Sequence, residues 1–167
     1  MIKLVQVKTD TEIHAVAGLA EVIWNEYFPA IIGQAQVDYM VHKFQSREAI
    51  AAQLNTGFLY YLINNGQDDV GYLGLVSQDS QESLQLSKLY ILKDWRQQGI
   101  AREVLKEIMS DSREKGYTRL FLTVNKYNRT AIAAYEKLGF GHIGEMITDI
   151  GQGFTMDDYV MEITIAG

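Results

Sequence analysis

The sequence has no cysteine, a single proline and no long apolar run, and each absence excludes a class of protein. Without cysteine the chain cannot form disulfides, a zinc ribbon or an iron–sulfur cluster, and it cannot use a thiol nucleophile. This composition favours the cytoplasm over secretion. No stretch approaches the roughly 20 apolar residues that cross a bilayer, and residues 1–9 do not resemble a signal peptide. We therefore expect no membrane association.

The sequence also has an excess of acidic over basic side chains, 21 against 15, which gives a net charge of −6. This balance argues against nucleic-acid binding, which requires a basic surface. The basic residues are concentrated, because residues 88–106 carry a net charge of +3 and the remainder carries −9. A local cationic segment in an acidic chain suits a small polyanionic ligand.

Residues 1–167 contain no low-complexity linker and no internal repeat, so we expect a single domain. Apolar spacing predicts a strand at residues 2–7, three helices before Gly57, and a run of antiparallel strands at 58–63, 70–76 and 84–92. Helix, strand, helix and two strands then follow, at 99–116, 120–124, 128–138, 140–149 and 154–165. This order predicts a mixed α/β fold with a mostly antiparallel central sheet flanked by helices.

In the third strand of that run, the apolar residues of the first half and those of the second half lie on opposite faces. Leu84, Leu86 and Lys88 share one face, whereas Leu89 and Ile91 lie on the other. Either an inward-facing lysine or a β-bulge near Lys88 would reconcile the two patterns.

This strand leads through a short link into Arg96-Gln97-Gln98-Gly99-Ile100-Ala101-Arg102, where a helix begins. The unpaired backbone N–H groups of a helix start attract anions, and Gly99 and Ala101 let a ligand approach the backbone closely. The segment lacks the Lys-Ser/Thr pair of a nucleotide P-loop and the GxGxxG of a dinucleotide fold. We predict a diphosphate-binding turn, although a single glycine here is also compatible with a plain connection.

Two motifs resemble those of the GCN5-related N-acetyltransferase (GNAT) superfamily. The first, Arg or Gln, two variable residues, Gly, one variable residue and Gly or Ala, is matched by Arg96, Gly99 and Ala101. The second is matched by Asn128, Ala131, Tyr135 and the ending Leu138-Gly139-Phe140. The resemblance covers about residues 70–145, and the flanking segments look like bacterial members grouped with polyamine acetyltransferases. Lys93 replaces a common proline, and Ala101 replaces the commoner second glycine.

The resemblance implies that acetyl-CoA lies in a cleft between two parallel strands that splay apart. The backbone of residues 97–102 would hold the diphosphate, and the last residues of the preceding strand would pair with the pantetheine arm. A backbone N–H at Ile91 or its neighbour would stabilise the developing oxyanion. Asn128 would cap its helix and bond the cofactor, while Tyr135 would protonate the departing thiolate. The implied cofactor-binding residues are Leu89, Tyr90, Ile91, Arg96, Gln97, Gln98, Gly99, Ile100, Ala101, Arg102, Asn128 and Tyr135.

An acceptor amine must lose a proton before it can attack. Because an alkylamine has a pKa of about 10.4, only about one molecule in 10³ is neutral at pH 7, a handicap of about 4 kcal/mol. A positioned base offsets part of it. The candidate carboxylates are Glu26, Asp79, Glu82, Asp157 and Asp158. We favour Glu26, because the neighbouring residues Trp24, Tyr27 and Phe28 could form the wall of a substrate pocket. An exposed helical carboxylate is the competing interpretation of Glu26.

We therefore expect acetyl transfer from acetyl-CoA to a primary amine by direct attack, with no acetyl-cysteine intermediate and no metal site. The acidic remainder of the chain favours a cationic small molecule such as a polyamine. A protein N-terminal or lysine acetyltransferase and a non-catalytic CoA-binding module are the alternatives. The final strand pair, which carries Phe154 and Tyr159, exposes an edge that could support a homodimer.

Overall fold

The computed structural model describes residues 1–77 and 82–165. Helices occupy most of the first third of the chain, and strands dominate after residue 58. The elements in order are β1 Lys3–Gln6, α1 Asp10–Tyr27, α2 Pro29–Ile32, α3 Gln34–Phe44, α4 Arg47–Leu54, β2 Leu59–Asn64, β3 Asp69–Ser77, β4 Ser83–Ile91, a short 3₁₀ helix Lys93–Trp95, α5 Ile100–Glu114, β5 Arg119–Asn125, α6 Arg129–Lys137, β6 Gly141–Gly151 and β7 Phe154–Thr164.

The strands in the described residues form a seven-stranded sheet with the order β1-β2-β3-β4-β5-β7-β6. The pairs β1–β2, β2–β3, β5–β7 and β6–β7 are antiparallel. Strands β4 and β5 pair in parallel, through Ser83–Gln85 and Arg119–Phe121. The prediction of a mixed α/β fold with a mostly antiparallel sheet is therefore confirmed.

The chain divides into two compact units. The first unit consists of Met1–Val76 and Lys88–Ile108, and the second of Ser77–Ser87 and Met109–Gly167. The expectation that residues 1–167 form one domain stays a prediction. No helix within the described residues is both long and apolar enough to cross a membrane.

Local sequence signals set the helices of the first unit. Thr9 and Glu12 form the predicted capping box, in which the Glu12 N–H donates to Thr9 Oγ1 at 3.2 Å and the Thr9 N–H donates to Glu12 Oε1 at 2.9 Å. Ser46 caps α4 as predicted. The sequence does not predict helix α2, because a proline usually ends a helix. Here Pro29 occupies the first turn of α2, where its missing N–H costs no hydrogen bond.

Of the two arrangements predicted for β4, the structure shows an inward-facing lysine, because Lys88 is only 7% exposed. The ammonium donates to the carbonyl oxygen of Phe44 at 2.8 Å, to Gln53 Oε1 at 3.1 Å and to the Tyr60 hydroxyl. Gly74 of β3 lies beside the aliphatic stem, and a Cβ there would meet the lysine Cβ at 3.6 Å, an ordinary packing distance. Burial lowers the pKa of Lys88 to about 7.

The burial of Lys88 corrects the charge count of the cationic segment. An interior ammonium adds nothing to the surface that a ligand meets. The remaining charged residues of the segment give a net charge of +2 and are Lys93, Asp94, Arg96, Arg102, Glu103 and Lys106.

The second unit is built on the antiparallel strands β5, β7 and β6. Leu120, Leu122 and Met161 on these strands are fully buried. Asn128 caps α6 as predicted, because its Oδ1 accepts from the Ala131 N–H at 3.3 Å. Gly139, at φ +104°, ends this helix beside Ile163 of β7.

Lys88 should make stability depend on pH. Because its folded-state pKa is about 7 and its ordinary value is 10.5, the unfolded chain binds more protons between these values. We expect the free energy of unfolding to rise between pH 7 and 9.5, and Lys88→Met to lose most of this rise. Urea unfolding at pH 7, 8 and 9.5 measures it. Lys106→Met, at an exposed position, is the control; an equal pH dependence in Lys88→Met and wild type would refute the assignment.

Candidate active site

The turn after β4 presents backbone donors that no carbonyl occupies. The Arg96 N–H donates back to the Lys93 oxygen at 3.2 Å, and the Glu103 N–H donates to the Gly99 oxygen at 3.1 Å. Between these two bonds, the backbone N–H groups of residues 97–102 find no acceptor in the part of the chain that the structure describes. Such a row at the start of a 15-residue helix is an arrangement that can bind an anion, as the sequence predicts for this turn.

Two residues of this turn adopt left-handed backbone conformations, Gln97 at φ +62° and Gly99 at φ +80°. A Cβ at Gly99 would meet no atom within 4 Å, so the backbone conformation, and not crowding, requires the glycine. Gln97 lacks this freedom and holds a strained conformation at the predicted ligand site.

The side chains of Arg96 and Gln98 stabilise the turn. Arg96 Nε donates to the Ile91 oxygen at 2.8 Å, and its guanidinium lies 5.1 Å from the centre of the Tyr27 ring. Gln98 Nε2 donates to the Asp94 oxygen at 2.9 Å. Arg96 therefore connects the end of β4 to α1, while the backbone of the turn stays available to a ligand.

The aromatic residues predicted to contact substrate come together in the first unit. Trp24 and Phe28 have ring centres 4.3 Å apart, and Tyr27 lies 5.1 Å from Phe28. Tyr90, predicted to pair with the cofactor arm, joins them at 5.4 Å from Trp24. Tyr72 also contacts Tyr90, with ring centres 5.5 Å apart. The sequence does not predict this contact, because strand alternation does not show which ring the Tyr72 side chain meets.

Two further features accompany these residues. The buried Trp24 Nε1 lies next to the hydroxyl of Tyr72. The end of β4 lies close against β3, because a Cβ on Gly71 would clash with the Tyr90 carbonyl oxygen. Gly71 is therefore needed for Tyr90 and Ile91 to take these positions, and no pattern in the sequence indicates this contact.

In the second unit, the structure places Asn128 and Tyr135 at the two ends of α6. Asn128 is buried at the helix cap. The Tyr135 ring is half-buried and contacts Phe140, with ring centres 5.5 Å apart. Burial raises the pKa of the Tyr135 hydroxyl to about 12, so this group keeps its proton at neutral pH, as a proton donor must.

The structure separates the candidate carboxylates. Glu26 is exposed, and it lies about 200° around α1 from both Trp24 and Phe28, so it does not join the aromatic residues. Glu82 is exposed, and Asp79 lies outside the described residues. Asp157 forms an ion pair with Lys126 at 3.0 Å.

Asp158 differs from the other described carboxylates because it is only 3% exposed. Its burial, with the neighbouring charge of Asp157, raises the pKa of its carboxyl to about 6. Asp158 is one of the five candidate carboxylates in the sequence, and no sequence pattern indicates its burial.

A groove of about 410 Å³ also lies among α1, α3 and α4. Its polar lining includes His14, Glu21, Asp38, His42 and Arg47, and no predicted site residue contributes to it. Within the described residues, no group of three or more His, Asp or Glu side chains is placed to hold a metal ion.

Comparison with known proteins gives a match to a family model. The model described as "Acetyltransferase (GNAT) family" matches residues 19–140. The uncharacterized N-acetyltransferase YjgM of Escherichia coli is 34% identical over 89 residues, which cover 52% of this chain and 53% of that protein. Human N-acetyltransferase 8 is 24% identical over 131 residues, which cover 76% of this chain and 54% of that protein. The chain thus spans about half the length of these relatives.

Solved structures resemble this fold over nearly their whole length. PaiA N-acetyltransferase from Thermoplasma acidophilum, solved with coenzyme A, has a TM-score of 0.76 at 17% identity, covering 98% of this chain and 99% of that chain. The ribosomal-protein-S18-alanine N-acetyltransferase of Escherichia coli has a TM-score of 0.73 at 19% identity, covering 100% and 96%. At these identities the likeness shows the fold.

Gly99→Ala tests the turn as an anion site. The alanine disfavours the left-handed conformation and should turn backbone donors away from the ligand, so we expect acetyl-CoA affinity to fall about tenfold or more. Calorimetric titration measures it. Gly57→Ala is a matched control, since Gly57 has φ +99° and also has open space at its Cβ position. Unchanged affinity in Gly99→Ala would contradict the prediction.

Proposed function

The chain belongs to the Acetyltransferase (GNAT) family, and we propose that it transfers an acetyl group from acetyl-CoA to a primary amine. The observation that carries this proposal is the row of unpaired backbone N–H groups at residues 97–102. These donors fit a diphosphate, because several N–H groups at a helix start can bind its oxygens without a cationic side chain.

The proposed cofactor site in the first unit extends along β4. Leu89, Tyr90 and Ile91 are half-buried and immediately precede the turn, which suits pairing with an extended pantetheine arm. An Ile91 N–H directed at the thioester oxygen would stabilise the oxyanion that forms during attack. Asn128 and Tyr135, in the second unit, are proposed as cofactor contacts on the strength of their motif positions.

The proposed chemistry is direct attack on the thioester. The neutral amine forms a bond to the carbonyl carbon, and the C–S bond breaks as the tetrahedral intermediate collapses. The departing thiolate takes a proton from the Tyr135 hydroxyl, which is protonated across the neutral range, and the excess proton on the new amide nitrogen then restores this hydroxyl. Because the chain has no cysteine, an acetyl-cysteine intermediate cannot form.

We propose a cationic small molecule, with polyamines as the first class to test, as the acceptor. Of the three aromatic residues predicted to contact substrate, Trp24 and Phe28 are buried and only Tyr27 is partly exposed, so Tyr27 is the one ring of the three that is proposed to contact an alkylammonium group. The acidic excess of the chain would favour the approach of a cation. The absence of cysteine also supports a cytoplasmic location for this activity.

We also propose that the chain forms a homodimer through β6. This strand lies at an edge of the sheet, and its residues 141–149 are exposed. Ile147 is 72% exposed and Ile143 53%, so pairing along this edge would cover apolar surface as well as backbone groups.

An acceptor panel tests the proposed function. The purified protein is incubated with acetyl-CoA and, separately, spermidine, a peptide with a free N-terminus, and an N-blocked peptide containing lysine. Free-thiol release gives the rate, and mass spectrometry identifies the product. We expect turnover with spermidine above both peptides. Tight acetyl-CoA binding with no acetylated product from any amine would indicate a non-catalytic module and contradict the proposal.

Tyr135→Phe tests the proton donor. Removal of the hydroxyl should lower kcat about 10²-fold or more, while acetyl-CoA affinity stays within about twofold of wild type. Turnover by thiol release and affinity by calorimetry measure the two effects. Tyr127→Phe is the control, because Tyr127 lies just before α6 and is 67% exposed. Unchanged turnover in Tyr135→Phe would remove the assigned role.

A further inference from the structure

The groove among α1, α3 and α4 lies entirely within the first unit. Its volume of about 410 Å³ falls in the range of small-ligand pockets. One face of α1 forms one wall and one face of α3 with its C-cap forms the other, because the lining residues recur at helical spacing. These residues are His14, Ala17, Gly18, Glu21 and Asn25 on the first wall, and Asp38, Val41, His42 and Gln45 on the second. The start of α4 completes the lining with Ser46, Arg47 and Glu48.

Gly18 is a feature of the α1 wall that packing does not explain. It lies in the middle of an 18-residue helix, where glycine is unfavourable. A Cβ at Gly18 would meet no atom of the described residues within 4 Å, so no neighbouring side chain requires the glycine. The missing side chain instead leaves the α1 backbone open to a molecule in the groove.

The lining of the groove also contains a buried amide with an unused donor. Gln45 is 3% exposed, and its Oε1 accepts from the Tyr72 hydroxyl at 2.9 Å. Its Nε2 has no acceptor among residues 1–77 and 82–165. Because a buried donor without an acceptor is unfavourable, this amide suits a ligand that supplies an oxygen.

The first end of the groove is acidic. Glu21 and Asp38 are exposed there, and neither takes part in an ion pair within the described part of the chain. Asp38 and Asn25 both accept from Gln34 Nε2 at 2.8 Å, which brings Asp38 to the end of the groove that Asn25 lines. Glu21 lies one turn of α1 from Asn25. Two carboxylates without a cation attract an ammonium group.

The second end carries donors for a carboxylate. Arg47 is exposed, and its Nη1 lies 3.5 Å from His14 Nδ1, which leaves most of its five N–H groups available to a ligand. Gln45 is two residues before Arg47. Glu48 lies in the first turn of α4, where the helix dipole favours its charge. His14 and Glu21 are seven residues apart on α1, so about 10 Å separates the two ends.

We propose that this groove binds a linear zwitterion of the length of a short peptide, with its ammonium at Glu21 and Asp38 and its carboxylate at Arg47. An extended chain of three residues spans about 10 Å, which matches the separation of the two ends. An oxygen of the ligand accepts from Gln45 Nε2, and its chain lies along Gly18. The site shares no residue with the proposed active site within the described ranges, so it does not depend on acetyl transfer.

Calorimetric titration with triglycine, in the absence of acetyl-CoA, tests the proposal. N-acetyl-triglycine and triglycinamide each lack one of the two charges. We expect triglycine to bind at least about tenfold more tightly than either blocked peptide, because each block removes one charge-assisted contact. No binding of triglycine, or equal affinity for triglycine and a blocked peptide, would overturn the zwitterion site.

A fourth compound distinguishes the two sources of this chemistry. 6-Aminohexanoate has an ammonium and a carboxylate at a similar separation but no peptide groups. If it binds as tightly as triglycine, the two end charges suffice and the site accepts ω-amino acids as well as peptides. If it binds more weakly, the peptide oxygens contribute and the ligand is a peptide.

Gly18→Leu tests the location of the site. The leucine side chain would fill the groove, so we expect the affinity for triglycine to fall about tenfold or more. Because the position is helical and has open space, the melting temperature should equal or exceed that of wild type. Gly18→Ala, which adds only a methyl group, is the second variant. Wild-type affinity in folded Gly18→Leu would place triglycine elsewhere and refute the groove as its site.

Charge variants test the orientation of the ligand. Arg47→Met should weaken triglycine and leave triglycinamide unchanged, because the amide lacks the group that Arg47 binds. Glu21→Gln should weaken triglycine and leave N-acetyl-triglycine unchanged, for the same reason at the other end. Lys106→Met and Glu107→Gln are matched controls, since both positions are exposed on α5 and do not line the groove. The opposite pattern, or equal losses in the controls, would contradict the assigned contacts.

Discussion

The buried ammonium of Lys88 is the interaction on which the first unit depends. It donates to the carbonyl oxygen at the end of α3, to Gln53 on α4 and to the hydroxyl of Tyr60 on β2. One side chain thus connects two helices and two strands of this unit. Lys88 lies on β4 a few residues before the turn at residues 96–102, so its contacts hold the part of the chain that leads into that turn. These bonds compensate only part of the cost of burying the ammonium, which is why burial lowers the pKa of Lys88 to about 7.

The proposed cofactor site uses the backbone more than side chains. Arg96, the cation nearest the turn, is occupied by the Ile91 oxygen and the Tyr27 ring. The donors that remain belong to the peptide units of residues 97–102, and the left-handed conformation of Gly99 turns the chain from strand to helix. A site made of backbone donors tolerates changes of side chain at most of its positions. The side chains of Gln97, Gln98 and Ile100 are therefore not required for such a site, whereas Gly99 is required for its left-handed backbone conformation.

The carboxylates of the second unit show how the same residue type takes different roles. Asp157 faces Lys126 and is neutralised by it, whereas Asp158, one residue along the strand, points to the other face and finds no cation. Strand alternation alone separates the two. Burial of the unpaired carboxylate disfavours its charged form, which is why its pKa is raised to about 6.

Much of this protein follows from sequence by itself, because the signals are local. The Thr9 capping box, the Asn128 cap, the Gly99 turn and the strand order depend on neighbours within a few residues, and the two motifs identify the family. The inward position of Lys88 was one of two outcomes that the alternation allowed. Tertiary structure decided which candidate carboxylate is buried, why Gly71 must lack a side chain, and that Glu26 stands apart from Trp24. These properties depend on atoms brought together from distant parts of the chain, and the spacing of residues along one strand or helix carries no record of such contacts.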